Sequence, residues 1–155
     1  MTKTIYGDRI GKTAKLRTGC SATIFDLSRE KILLTRRTDN NRWCLPGGGL
    51  DPGESVTEAC IREVWEETGL RVNVRKLTGV YSSPHEILEY PDGNRFHTIA
   101  LNFDVEVVSG ELTTSEETSE IVYFPIEELD KIDLMNRHRV RIADALKNNA
   151  APFIR

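Results

Sequence analysis

The stretch that decides the fold runs from Gly48 to Leu70 and reads GGLDPGESVTEACIREVWEETGL. Ser55 is a residue type that favours the start of a helix, and Glu58, three positions later, completes a capping box. Gly69 is the residue type most often found just after the end of a helix. These signals predict a helix from Val56 to Thr68 that follows an irregular, glycine-rich loop.

This predicted helix carries three glutamates on one side. At helical spacing, Glu63, Glu66 and Glu67 fall within an arc of about 100°. Like charges one turn apart repel each other, and carboxylates are disfavoured in the last turn of a helix. We therefore interpret the stripe as a site for a hard cation such as Mg²⁺ or Mn²⁺. The alternative is an ordinary solvated helix face. The opposite side, which we expect to face the core, carries Ile61, Val64 and Thr68.

The spacing of the charged residues resembles a known signature. Gly48, five residues, Glu54, seven residues and then Arg62-Glu63-Val64-Trp65-Glu66-Glu67-Thr68-Gly69-Leu70 matches every specified position of the Nudix box, G-x5-E-x7-R-E-U-x-E-E-x-G-U, where U is a bulky apolar residue. The resemblance implies a hydrolase that uses water to split the diphosphate bond of a nucleoside diphosphate-linked compound. It implies ADP-ribose, other nucleotide sugars and nucleoside triphosphates as the leading substrates.

The resemblance also implies roles for the residues of the box. Glu63, Glu66, Glu67 and the carbonyl of Gly48 correspond to ligands of Mg²⁺, with Mn²⁺ able to substitute for it. Glu54 either binds a second ion or holds the loop. Arg62 is expected to orient Glu63 or Glu66.

The general base and the substrate contacts are assigned less directly. The general base is expected on a later acidic stretch, where Glu116, Glu117 and Glu120 are the candidates and Glu120 is favoured; the alternative is a solvated loop. The expected substrate contacts are Arg36, Trp43, Gly47, Gly48 and Gly49. Trp65 is expected to have a packing role, and His138 is expected on the surface.

The whole chain is expected to form one α/β domain, a Nudix-type α/β/α sandwich with a central mixed β-sheet spanning residues 1–155. Residues 1–14 are expected to be an arm or an edge strand, and residues 134–148 a C-terminal helix with Val140, Ile142, Ala145 and Leu146 as its apolar positions. A hairpin-like turn is expected at residues 26–30. The expected strands are Thr18–Phe25, Lys31–Arg37, Val72–Tyr81, Phe96–Val107 and Ile121–Phe124.

Composition limits the class of protein. The 155 residues carry a net charge of −3, so the chain has no general attraction for nucleic acid backbones, and no basic-aromatic platform for DNA or RNA is evident. No run of apolar residues is long enough to cross a membrane. Three scattered cysteines and the absence of a signal peptide indicate a cytoplasmic protein. The expected partner is a small nucleotide substrate, and similar proteins are commonly homodimers.

Two other functions remain open at this point. Isoprenoid diphosphate isomerisation occurs on the same fold, but it needs a catalytic Cys and Glu outside the acidic helix. A nucleotide-sensing domain without catalytic activity is the second alternative, although such domains usually lack some of the box glutamates.

Overall fold

Nine β-strands and two α-helices make up the fold in a computed structural model that describes residues 1–155. The strands are β1 (Lys3–Tyr6), β2 (Lys15–Ile24), β3 (Lys31–Arg37), β4 (Trp43–Cys44), β5 (Leu70–Tyr81), β6 (Glu86–Glu89), β7 (Arg95–Gly110), β8 (Thr118–Pro125) and β9 (Phe153–Ile154). The helices are α1 (Val56–Thr68) and α2 (Asn136–Leu146), and short 3-10 helices cover Ile10–Thr13 and Ile126–Lys131. No helix has the length and hydropathy needed to span a membrane.

The strands form two sheets. The larger sheet has the order β1-β6-β7-β5-β9. A sixth strand, β2, lies off this path and pairs with β7 in parallel. The other pairings of this sheet are antiparallel except that of β5 with β9, so the expected central mixed sheet is confirmed. The smaller antiparallel sheet, with the order β4-β3-β8, was not expected from the sequence.

The turn between β2 and β3 forms, but it does not close a hairpin. The Asp26 carboxylate accepts the backbone N–H groups of Glu30 and Lys31. Beyond a single bridge between Phe25 and Ile32, however, the two strands separate into different sheets. They separate because both faces of β3 are buried against different partners, which a two-stranded hairpin could not provide.

Helix α1 forms where the capping signals predict it. The Ser55 hydroxyl accepts the Glu58 N–H at 3.2 Å, and the Glu58 carboxylate accepts the Ser55 N–H at 2.8 Å. The helix ends at Gly69, which has a left-handed φ of 74°. Its inner face packs into a core shared with β2, β3, β5 and β7, and Val64 is fully buried there. Trp65 is 49% exposed, and the Arg71 guanidinium lies over its ring.

Helix α2 is shorter than expected, and only part of its expected apolar face is buried. Of the four expected apolar positions, Ile142 and Ala145 are buried, whereas Val140 and Leu146 are exposed. His138, Arg141 and Asp144 are also buried. His138 is only 6% exposed, so its expected surface position was wrong. The reason is that α2 packs Ile142 against the outer face of β3 while turning its polar residues toward a large cavity.

Candidate active site

A cavity of about 700 Å³ lies between α1, the glycine loop and the first two turns of α2. The α1 wall contributes Glu63, Glu66 and Glu67, and the glycine loop contributes Gly47 to Gly49. Opposite them stand residues from β5 to β7 and from α2. This volume is in the range of pockets that bind small molecules and cofactors.

The glycine loop touches its neighbours too closely for side chains. Gly47 has a φ of 149°, and a β-carbon there would collide with the backbone of Cys20 and Ser21. A β-carbon on Gly48 would overlap the Glu63 carboxylate. The loop is tied down by a hydrogen bond from the Cys20 N–H to the Gly48 carbonyl at 2.9 Å. The glycines therefore allow the backbone to lie directly against the acidic side chains.

The three glutamates of α1 differ in their surroundings. Glu67 is 7% exposed and accepts the Gly47 N–H at 3.0 Å. Burial raises the pKa of Glu67 to about 8, the Gly47 hydrogen bond opposes that rise, and the Glu63 charge adds to it. Burial also raises the pKa of Glu63, against the opposing effect of Arg62. The Glu66 side chain is 49% exposed at the mouth of the cavity.

Arg62 connects the acidic side chains to one another and to the loop. Its Nε lies 2.6 Å from Glu54 Oε1, and its Nη1 donates to Glu63 at 3.0 Å and to Glu66 at 3.1 Å. Its Nη2 donates to the Gly49 carbonyl at 3.0 Å. The hydrogen bond from Arg62 lowers the pKa of Glu54 to about 2. These contacts are consistent with the expectation that Arg62 orients Glu63 and Glu66. Glu54 in turn holds the Arg62 guanidinium in position.

Arg36, Trp43 and Glu120, unlike the α1 glutamates, do not line the cavity, and neither do Glu54 and Arg62. The Arg36 Nη1 pairs with the Glu120 carboxylate at 2.6 Å, and the Arg36 guanidinium lies over the Trp43 ring. Trp43 also packs edge-to-face on Phe124. Side chains alternate along a strand, and β3 turns Arg36 to the same face as the buried Leu34, away from α1. The cavity therefore gives no support to Glu120 as the base or to Arg36 and Trp43 as substrate contacts, and these assignments stay predictions.

Arg37, which follows Arg36, and Glu116 and Glu117, which precede Glu120, do line the cavity. Arg37 lines it and donates from Nε to Asp39 at 2.8 Å. Glu116 and Glu117, on the segment before β8, also line it and are exposed. The charge of Glu117 contributes to the raised pKa values of Glu63 and Glu67. Two of the three acidic candidates for the base are thus brought to the site, and Glu117 is electrostatically coupled to its carboxylates.

Sequence reasoning missed an aromatic and cationic group at the far side of the glycine loop. Arg17 Nη1 donates to the Tyr90 hydroxyl at 2.8 Å, and its guanidinium lies 5.4 Å from the centres of both the Tyr90 and Phe96 rings. A β-carbon on Gly49 would collide with this guanidinium, so Arg17 lies against the loop. The chain brings these residues together only through the pairing of β2, β6 and β7, and no local motif shows it.

The residues that α2 contributes were also missed. Arg137, His138 and Arg141 all line the cavity. Their spacing of i, i+1 and i+4 places them on one helix face, which is a signal that could have found them. The signal was hidden because polar residues on a helix usually indicate a solvated face.

Comparisons with known proteins agree with this arrangement. The NUDIX domain family model matches residues 16–146. An ADP-ribose pyrophosphatase of Methanocaldococcus jannaschii is 40% identical over 105 residues, which are 66% of this chain and 59% of that protein. A MutT-like protein of Streptomyces ambofaciens is 34% identical over 125 residues, 81% of this chain and 73% of that one. The match therefore spans less than two thirds of the archaeal relative.

The fold is similar to that of solved structures as well. A NUDIX hydrolase from Nitrosomonas europaea superposes with a TM-score of 0.72 at 25% identity, covering 89% of this chain and 93% of that one. The family match extends far beyond the acidic helix, from β2 to the end of α2. The chain belongs to the Nudix hydrolase family.

Proposed function

We propose that the chain hydrolyses the diphosphate bond of a nucleoside diphosphate-linked substrate and depends on Mg²⁺. The observation that carries the proposal is the position of Glu63, Glu66 and Glu67 beside the glycine loop, on one wall of a cavity large enough for a nucleotide. The facing walls carry arginines, which suits a substrate rich in negative charge.

The donor set suits a hard divalent cation. Glu63 is half-buried and Glu67 is buried, and burial raises the pKa of both carboxyl groups, so a bound cation would favour their charged forms. Because Gly48 has no side chain, its backbone lies directly against the Glu63 carboxylate. The Gly48 carbonyl accepts one hydrogen bond, from the Cys20 N–H, and so keeps a second lone pair that can bind a cation. Oxygen donors of this kind are the ligands that Mg²⁺ prefers.

The side chains are held by Arg62 in their present positions. No three His, Cys, Asp or Glu side chains already form a coordination shell, and Arg62 bonds to Glu54, Glu63 and Glu66. We infer that Glu63, Glu66, Glu67 and the Gly48 carbonyl would hold the ion after small side-chain rotations, with Arg62 remaining on Glu54. When bound, such an ion neutralises phosphate oxygens and makes a water molecule more acidic.

The chain's own residues supply positioning and proton transfer. Glu117 is the better placed acceptor for the proton of the attacking water, because it lines the cavity whereas Glu120 is paired with Arg36 outside it. Arg17 and Arg37 flank the glycine loop and its acidic wall, where they would contact phosphate oxygens. Positioning of this kind provides most of the rate enhancement in phosphoryl transfer.

The site and the relatives both support the proposed substrate class. Matched relatives are named for the hydrolysis of ADP-ribose and of nucleoside triphosphates. Both compounds have a diphosphate next to a nucleoside. The cavity has the α1 glutamates, which would face the diphosphate through the metal ion, and the Tyr90 and Phe96 rings, which would face the nucleoside. We propose these two classes as the leading substrates.

A substrate panel tests the proposal. ADP-ribose, other nucleotide sugars, common and oxidised nucleoside triphosphates and dinucleoside polyphosphates are incubated with Mg²⁺, and the products are identified by mass. We expect cleavage of one class by the wild type and the loss of most of that rate in Glu67→Gln. If nothing is cleaved with Mg²⁺ or Mn²⁺ while a nucleotide still raises the melting temperature, the chain is a nucleotide-binding domain and the proposal fails.

A further inference from the structure

Two arginines of α2 point into the cavity without a counter-charge. Arg141 is 7% exposed and donates from Nη1 to the Ser21 hydroxyl at 3.2 Å, but its Nε has no hydrogen-bond partner. Arg137 is close by, and neither arginine takes part in a salt bridge, unlike Arg37 and Arg155, which pair with aspartates. Burying an unpaired cation is costly, so the buried Arg141 beside the half-buried Arg137 indicates a missing anion.

His138 adds a third donor to the same wall. Its Nδ1 accepts the buried Leu45 N–H at 3.2 Å, and burial together with the neighbouring Arg141 lowers its pKa well below the usual value. The ring is therefore neutral and carries its proton on Nε2. Arg137 Nε is directed at this nitrogen from 3.3 Å, but a neutral imidazole that already accepts the Leu45 N–H has no second acceptor for it. An anionic oxygen within hydrogen-bonding distance of both nitrogens would accept from each of them.

The fold holds these donors in place. The Arg141 guanidinium lies 5.4 Å from the centre of the Tyr81 ring, and Tyr81 in turn donates to Asp144 at 3.2 Å. Asp144 is neutralised by Arg155 at 2.8 Å, so its charge is not directed at Arg141. The charge of Glu86 acts to raise the pKa of both arginines, and Glu86 lines the same cavity, but it forms no ion pair with either of them.

The donors are within reach of the acidic wall. The Leu45 N–H holds His138 and the Gly47 N–H holds Glu67, and these two nitrogens are separated by two residues, or about 7 Å of chain at most. A single nucleotide-sized molecule can therefore touch both walls. The two walls have opposite charge, so they would bind different parts of that molecule.

We propose that Arg137, His138 and Arg141 form a pocket that binds one further phosphate group of the substrate without a metal ion. This phosphate is additional to the two phosphates of the diphosphate that is split. This deepens the proposed function, on which the assignment to a substrate rests. The preferred substrates are nucleoside diphosphate-linked compounds that carry a further phosphate, such as a triphosphate or a sugar phosphate monoester. Guanidinium and imidazole N–H groups are the donors that bind phosphate oxygens most specifically.

Inorganic phosphate tests the pocket in the absence of catalysis. The melting temperature is measured with EDTA present, with and without phosphate, at constant ionic strength, for the wild type, Arg141→Met and the control Arg139→Met. Arg139 lies on the same helix but pairs with the exposed Asp130. We expect phosphate to raise the melting temperature of the wild type and of Arg139→Met but not of Arg141→Met.

The phosphate-free proteins add a second readout. Because an unpaired buried charge is removed, Arg141→Met should melt no lower than the wild type, whereas a merely structural arginine would make it melt lower. If Arg141→Met does not fold, Arg137→Met, altered at a half-buried position, should show the same loss of the phosphate effect. An equal phosphate effect in the variant and the wild type, or none in the wild type, overturns the pocket.

Kinetics with Mg²⁺ distinguish substrate phosphate from free phosphate. Two nucleotide sugars that differ only in a phosphate monoester are compared. In Arg141→Met, the KM of the phosphorylated compound should rise about tenfold to a hundredfold more than the KM of the other. Equal changes would show that the pocket binds free phosphate only. If phosphate binds but no substrate is cleaved, the hydrolase proposal fails while the pocket stands.

Discussion

The backbone of Gly48 lies so close to the carboxylate of Glu63 that a β-carbon at position 48 would overlap it. The contact joins the loop before α1 to the middle of that helix, and Arg62 reinforces it through Gly49 and Glu63. A glycine at this position therefore determines where the Glu63 carboxylate can lie.

Gly48→Ala should displace the Glu63 carboxylate and lower metal-dependent hydrolysis. A displacement of about 1 Å in a catalytic arrangement can lower the rate about a hundredfold. We expect a fall in kcat and weaker Mn²⁺ binding, measured by electron paramagnetic resonance. Gly7→Ala is the matched control, because its β-carbon would make only an ordinary contact with Ile10 at 3.5 Å. Wild-type Mn²⁺ affinity in Gly48→Ala would contradict this account.

Arg62→Lys should weaken the site although the charge is kept. A lysine has one nitrogen, whereas Arg62 uses three to hold Glu54, Glu63, Glu66 and the Gly49 carbonyl. Loss of such supporting contacts typically costs about 10- to 100-fold in metal affinity or activity. Titration with Mn²⁺ and measurement of kcat would show it. The exposed Arg75, changed to lysine, serves as the control, and equal behaviour of the two variants would exclude this supporting role.

The sequence predicts α1 and its acidic stripe because those signals are local. Capping depends on Ser55, Glu58 and Gly69, and the stripe depends on helical spacing, so both are readable without knowledge of the tertiary fold. Glu63, Glu66 and Glu67 consequently lie where the spacing places them.

The opposite wall could not be predicted in the same way. Whether Arg36 or Arg37 faces the cavity depends on which side of β3 packs on α1, and both faces of that strand are buried. In α2, the exposed Val140 and the buried Arg141 reverse the usual pattern of apolar burial. That reversal makes sense only once the cavity is known, because buried polar groups need partners that lie far away in sequence.

Glu117→Gln and Glu120→Gln should have different effects on catalysis. Removal of a general base lowers the rate about 10²- to 10⁴-fold. We expect a fall of that size in kcat for Glu117→Gln and activity within about twofold of the wild type for Glu120→Gln, whose side chain pairs with Arg36 outside the cavity. Steady-state kinetics at saturating Mg²⁺ checks both. A larger fall in kcat for Glu120→Gln than for Glu117→Gln would support Glu120 as the base.

Asp144→Asn should destabilise the protein in a pH-dependent way. The buried Asp144 carboxylate accepts hydrogen bonds from Arg155, Lys147 and the Tyr81 hydroxyl, and the Arg155 contact in particular lowers its pKa. A pKa lowered by folding contributes stability above the unfolded value of about 3.9, and that stability is lost as the pH falls through the lower folded value. At pH 7 we expect the variant to lose about 2 kcal/mol of unfolding free energy.

The difference between wild type and Asp144→Asn should therefore shrink as the pH falls from about 5 to about 2, because the wild-type carboxyl also becomes neutral. Urea unfolding at several pH values in this range measures it. Asp130→Asn, at a fully solvated position on the other side of α2, should change stability little at any pH, because exposed ion pairs contribute little. If the difference in unfolding free energy between wild type and Asp144→Asn is the same at all pH values, the charge of Asp144 does not stabilise the fold. The loss would then come from altered packing and hydrogen-bond geometry.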